Sequence, residues 1–183
     1  MVISCAEEKD YAMVRRFYHH LIDRMRNGRF RIGWEKDIYP SPGFLRHSLV
    51  KGELYIAEEG DEIIAAMVCN QECNEGYRKH RWRNDLSDSE ILVIHALGVR
   101  PDSAMQGLGG LMVRKAKELA REKGRRAIRL DVLKGNLPAE RLYTGAGFTH
   151  AGDLRMYYED TGWTDFGLYE YLLPEDGPEE ESC

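Results

Sequence analysis

No apolar run in the 183 residues approaches the roughly 20 needed to cross a bilayer. The opening "MVISCAEEKD" turns acidic after six residues, too short and wrongly flanked for a secretory leader. These two absences, with the thin use of cysteine, lead us to expect a cytoplasmic protein. The four cysteines, Cys5, Cys69, Cys73 and Cys183, are widely spread. Cys69 and Cys73 have CxxxC spacing, but no second Cys or His pair follows, so the sequence points to free thiols and no metal. A global positive field is also missing. The net charge of −5 gives nucleic acid no general attraction, and the one basic stretch with aromatics, "YRKHRWR" at 77–83, is short. There is no Gly-Lys-Ser/Thr of a P-loop and no complete GxGxxG. No internal repeat is evident.

What is present reads as one domain over 1–173, followed by an acidic tail at 174–183 with no aromatic or aliphatic residue, expected to be disordered. Apolar positions Tyr11, Val14, Tyr18, Leu21, Ile22 and Met25 recur at helical spacing from Glu8 to Arg26, with Asn27-Gly28 as the stop. Ser41 and Pro42 predict a second helix start, and Gly52 its close. The period then changes. "ELYIAEE" and "EIIAAMVCN" flank Gly60-Asp61 as a β-hairpin, and "EILVIHALGV" (90–99) reads as a central strand covered on both faces. A helix over Leu108–Lys123 ends at Gly124, "RAIRLDV" (126–132) is the next strand, and a helix from about Leu137 is capped by Asn136. Two further strands meet across Thr161-Gly162. The order predicts an α/β protein with a mixed sheet and helices on both faces.

The stretch "RPDSAMQGLGGLMVRKAKELA" (100–120) places Gly107, Gly109 and Gly110 where a strand gives way to an amphipathic helix. The first turn of a helix carries free N–H groups and the positive end of its dipole, and glycine lets an anion come close. Taken alone, the turn is either a phosphate cradle or a plain strand-to-helix junction.

Two motifs go further. Val99, Pro101 and Asp102, then Gly107-Leu108-Gly109 and a long helix, resemble the acyl-CoA-binding segment of the GNAT superfamily of N-acetyltransferases, usually Arg/Gln-x-x-Gly-x-Gly/Ala. Ala104 takes the Arg/Gln position, which leaves the cradle to backbone amides. "NLPAERLYTGAGF" resembles the family's Asn-x-x-Ala-x-x-Leu-Tyr-x-x-x-Gly-Phe at Asn136, Ala139, Leu142, Tyr143, Gly147 and Phe148. The likeness covers roughly 90–173. Earlier, "GWEKDIYPS" resembles the opening of a bacterial branch of small GNAT proteins whose acceptor is unknown.

The resemblance implies a mostly antiparallel central sheet splayed in its middle. It implies transfer of an acetyl group from acetyl-CoA to a primary amine, small molecule or peptide, by direct attack in a ternary complex, and allows a homodimer. Cofactor contacts are expected at Leu97, Gly98, Val99, Met105, Gln106, Gly107, Leu108, Gly109, Gly110 and Asn136, the last being also a helix cap. Gly98 suits a local bulge of the strand. Tyr143 holds the family's general-acid position. His95 and Glu90 are the candidate bases; a strand histidine is otherwise a packed one, and Glu90 otherwise a solvated strand end. Trp34, Tyr39, Tyr157 and Tyr169 either line the acceptor pocket or pack in the core. The alternatives are a non-catalytic acyl-CoA sensor and a nucleotide-binding α/β module. An RNA-binding protein using 77–83 is a poorer fit.

Overall fold

The computed structural model describes residues 2–26, 32–102 and 107–174. Its centre is a seven-stranded sheet in the order β1-β2-β3-β4-β5-β7-β6. The strands are β1 (Ile3–Cys5), β2 (Leu54–Glu59), β3 (Glu62–Asn70), β4 (Ile91–Val99), β5 (Ala127–Leu133), β6 (Thr149–Tyr158) and β7 (Gly162–Leu172). Every neighbouring pair runs antiparallel except β4 and β5. The crossover between those two is α4 (Leu108–Glu122), because parallel strands need a long connection and a helix supplies it.

The other helices are α1 (Tyr11–Arg26), α2 (Pro42–Val50), the single turn and a half of α3 (Glu75–Lys79) and α5 (Leu137–Gly145). Ser41 caps α2 by accepting from the Phe44 amide, with Pro42 in the first turn. Gly60 takes a left-handed φ of 62° in the β2–β3 hairpin, and Gly124 one of 62° after α4.

The helices bury their apolar stripes on opposite faces of the sheet. Leu108, Met112, Val113, Ala116 and Leu119 of α4 pack on Leu92, Ile94, Ile128 and Leu130, where Tyr143 and Phe148 join them. Val14, Phe17, Tyr18 and Leu21 of α1 pack with Leu45 and Leu49 of α2 over Ile56, Ala66 and Val68 on the other side. Fully burying one such side chain contributes on the order of 1.5–3 kcal/mol, so these two layers dominate the stability. A third cluster sets Tyr77 of α3 against Val93, Met156 and Leu168.

Within that third region Arg129 and Glu170 form a buried ion pair at 2.9 Å, with side chains 5% and 2% exposed. Arg129 also donates to the Asn84 carbonyl at 3.0 Å and lies 4.2 Å over the Trp82 ring. The basic stretch at 77–83 is thereby tied down. Its tryptophan packs on Arg129 and donates from Nε1 to the Tyr77 carbonyl.

Cys5, Cys69 and Cys73 are free, and burial pushes the Cys69 thiol up to about 12. Among the described residues no helix is long and apolar enough to cross a membrane. The expected disorder at 175–183 and the stop at Asn27-Gly28 lie outside the described residues.

Candidate active site

The site begins where the sheet comes apart. β4 and β5 pair only at Ile91↔Ala127, Leu92↔Ile128 and Val93↔Arg129, after which the parallel ladder ends while both strands continue. Arg100 N–H bonds the Ile64 carbonyl, so by strand alternation the backbone groups of Val99 and Leu97 face the other way, toward β5. Between the two strands lies a cavity of about 380 Å³, lined on the β4 side by Ile94 to Val99 and on the β5 side by Asp131, Val132 and Leu133.

A bulge in β4 helps to open it. His95 stands opposite Val68 but Gly98 stands opposite Ala66, so β4 carries one extra residue. The strained residue is Ala96, with φ 49°. A buried tyrosine hydroxyl holds it: Tyr18 donates to the Ala96 carbonyl at 2.8 Å. This corrects the expectation that Gly98 takes the distortion. Gly98 serves a different purpose, since a Cβ there would sit 2.5 Å from Leu21 Cδ2 and force that side chain of α1 to move.

The mouth of the split is closed by the start of α4. Gly107 is its N-cap, with left-handed φ 77°. Among the described residues the first backward bond runs from Leu111 N–H to the Gly107 carbonyl, and the amides of Leu108, Gly109 and Gly110 have no partner among them. Gly107, Leu108 and Gly109 line the cavity. The three glycines therefore do different things. Gly107 supplies a backbone conformation, and Gly109 lets α5 approach, because a Cβ there would meet Leu142 at 3.1 Å. Gly110 has open space around it, and nothing in the structure explains it. The free amides, the positive end of the α4 dipole and the bare Gly107 suit an anion such as a diphosphate. Met105 and Gln106 lie outside the described residues. Asn136 both lines the cavity and caps α5, accepting from the Ala139 amide at 3.4 Å.

The far end of the cavity is acidic and aromatic. Asp131 Oδ2 accepts from Tyr77 at 2.7 Å and from Tyr158 at 2.8 Å. Burial raises the Asp131 carboxyl above its usual range, against the lowering effect of the two hydroxyls. Asp160, at the β6–β7 turn, lines the same cavity and is also raised by burial. Tyr143 lines it too, only 6% exposed, its ring edge-on to Phe148 at 5.5 Å. The Tyr143 hydroxyl makes no side-chain hydrogen bond to a described residue. Burial first, then the charges of nearby Cys69 and Asp131, keep it well above the ordinary phenol range. His95 is in the cavity wall, its Nε2 2.9 Å from Asn70 Oδ1, and burial pulls it down to about 4. Trp34 and Tyr39 complete the wall, 5.8 Å apart edge to face, with Tyr39 6.4 Å from Tyr158.

Three expected site residues are placed elsewhere. Glu90 stands at the start of β4, away from the split. It pairs with Arg126 at 2.8 Å and accepts from Ser87, and these bonds hold it down to about 2. Tyr157 is 55% exposed on β6 and packs on Trp163 at 5.9 Å. Tyr169 is buried on β7, 5.3 Å from His150. Conversely, Asp131, Tyr158 and Asp160 line the cavity without having been expected there. A usable signal existed for Asp131: a carboxylate inside the apolar strand "RAIRLDV", five residues before Asn136.

The chain is similar to known proteins in sequence and in fold. A Bacillus subtilis (strain 168) protein assigned as a ribosomal protein bS18-alanine N-acetyltransferase is 36% identical over 77 residues, 42% of this chain and 49% of that protein. The chain thus spans about half the length of that relative. An acetyltransferase of the GNAT family from Listeria monocytogenes 4b F2365 superposes with a TM-score of 0.70, covering 94% of both chains at 18% identity. Arabidopsis thaliana NAA60, solved in complex with acetyl-CoA, superposes with a TM-score of 0.65 over 94% of this chain and 99% of its own at 16% identity. At such identities the two structures speak for the fold. The sequence profile of the acetyltransferase (GNAT) family matches residues 15–148, most of the chain and both motifs, so the chain belongs to the acetyltransferase (GNAT) family.

Proposed function

We propose that this protein transfers the acetyl group of acetyl-CoA to a primary amine by direct attack in a ternary complex. The observation that carries the reading is the parting of β4 from β5 after Val93↔Arg129, with the free amides of α4 at the opening. The α4 amides hold the diphosphate of CoA, and the outward backbone groups of Leu97 and Val99 pair with the pantetheine arm. The thioester then lies in the cavity between Tyr143 and Asp131.

Attack requires a neutral amine, which near pH 7 is on the order of 1 in 10³ for an alkyl ammonium. Asp131 attracts the ammonium, which gives its first proton to solvent water, and the carboxylate then receives the second proton from nitrogen as the C–N bond forms. Burial makes the Asp131 carboxylate more basic than usual and His95 less basic than a free imidazole, and the carboxylate alone of the two also attracts the cation. As the C–S bond breaks, the thiolate takes the hydroxyl proton of Tyr143, which burial keeps protonated at neutral pH. Return of the proton from Asp131 to Tyr143 through water resets the site. The products are the N-acetylamine and free CoA, and the chemistry needs no metal.

The acceptor is a small-molecule or peptide amine. The free thiols and the need for acetyl-CoA fit a reducing, cytoplasmic setting. The test is thermal stabilisation by acetyl-CoA, ATP and NAD, with release of free CoA over an amine panel. Stabilisation by acetyl-CoA and amine-dependent CoA release are expected. Stabilisation by ATP alone, or acetyl-CoA binding with no release for any amine, overturns the reading.

A further inference from the structure

We propose that the acceptor is a dication, an alkyl diamine or longer polyamine, with its reacting nitrogen at Asp131 and its second ammonium at Asp160. The inference rests on the acetyl-transfer reading above and specifies its substrate class. It starts from two carboxylates in one cavity. Asp131 is deep, clamped on Oδ2 by Tyr77 and Tyr158, and Oδ1 takes no partner among the described residues. Asp160 is half-buried at the β6–β7 turn, where the backbone of Asp160 and Thr161 partly offsets the effect of burial on its carboxyl. Neither makes an ion pair with a described residue, and no Lys or Arg is among the described residues lining the cavity.

Two like charges sharing a partly dry space repel each other, and the charge of Asp131 is felt at Asp160. Burial raises both Asp160 and the Tyr39 hydroxyl that stands with it in the wall; the charge of Asp131 adds to both shifts, and that of Asp160 adds to Tyr39. A single ammonium answers only one of them. A ligand with two cations answers both, and the aromatic wall of Trp34, Tyr39 and Tyr158 suits the methylenes between. Exposed Glu35, whose charge also reaches Asp160, continues the negative field toward solvent. A further sign that a ligand belongs here is Tyr143, a buried residue that lines the cavity and makes no side-chain hydrogen bond to a described residue. The same arrangement disfavours amino-acid acceptors, whose carboxylate would face Asp160.

The test compares n-butylamine, 1,4-diaminobutane and 4-aminobutanoate, which share a four-carbon skeleton and differ at the distal end. With acetyl-CoA, kcat/KM for the diamine should exceed that for the monoamine by about 5-fold or more, and the aminobutanoate should fall below both. Asp160→Asn should bring the diamine-to-monoamine ratio close to one. A wild-type ratio near one, or a ratio that survives Asp160→Asn, overturns the inference. Calorimetric titration of the same three amines into the CoA-bound protein separates the two readings. Diamine-selective binding that depends on Asp160, with no turnover, would sink acetyl transfer and keep the dication site; turnover without diamine selectivity would do the reverse.

Discussion

The hydroxyl of Tyr158 donates to Oδ2 of Asp131 at 2.8 Å, joining the end of β6 to the middle of β5 across the floor of the split. Tyr77, from α3, shares the same oxygen at 2.7 Å. One carboxylate therefore gathers three elements, and several expectations follow from what its charge does.

Asp131→Asn should lower kcat/KM by about 10²–10⁴-fold, the usual worth of a positioned base. In the wild type the rate should fall as pH drops through a value above the ordinary 3.8, because burial raises this carboxyl. That acid limb should vanish in the variant. The sign for stability is opposite. A raised folded value gives stability that is full below 3.8 and lost as pH rises through it, so the amide should make the protein more stable than wild type at pH 7. A pH–rate profile and a denaturation midpoint check the two halves separately.

Tyr143→Phe removes one hydroxyl from a buried ring that keeps its contact with Phe148 at 5.5 Å. Turnover should fall by about 10²-fold or more while acetyl-CoA affinity stays within about 2-fold. Single-turnover kinetics beside calorimetric binding will show the split; undiminished turnover rules out Tyr143 as the acid.

Gly107→Glu should abolish acetyl-CoA binding. A Cβ at this position meets nothing within 4 Å, so the fold has room for it. The loss comes from φ 77°, which costs a non-glycine residue about 1–2 kcal/mol, and from a negative charge set beside the free amides of α4. Thermal shift with and without acetyl-CoA reads the outcome.

Stability should be lost as pH falls from about 6.5 toward about 4, in part through His95. Burial holds its folded value at about 4 against 6.5, so the unfolded chain takes up a proton the folded one refuses. His95→Gln, which keeps a donor for Asn70 Oδ1, should flatten that window in urea titrations at stepped pH.

Arg129→Ala should cost about 3–5 kcal/mol, since it strands Glu170 at 2% exposure without its partner. It also frees Trp82 and the Asn84 carbonyl. Tryptophan fluorescence during denaturation measures both effects at once.

Much of the frame was legible from period alone. The helical spacing through Met25 and the hairpin at Gly60-Asp61 correspond to α1 and to β2–β3. β1 and α3 are three and five residues long, too short for any period to show. The bulge was expected in the right strand but at the wrong residue, because the sequence cannot report that Tyr18 braces the Ala96 peptide from α1. Tyr157 and Tyr39 look alike as letters. One faces solvent and the other lines the cavity, and only strand register and the packing of the 33–41 loop separate them.

By itself the sequence determined what is local: which segments are strand or helix, the glycine turn ahead of α4, and the two motifs that identify the family. Those depend on spacing along the chain and on the conformations single residues allow. The tertiary structure decided which groups share the cavity. It brought Tyr77, Asp131, Tyr158 and Asp160 together, and turned Glu90, Tyr157 and Tyr169 away. Burial and the field of neighbouring charges set what such groups can do, and both arise only once the sheet has closed around them.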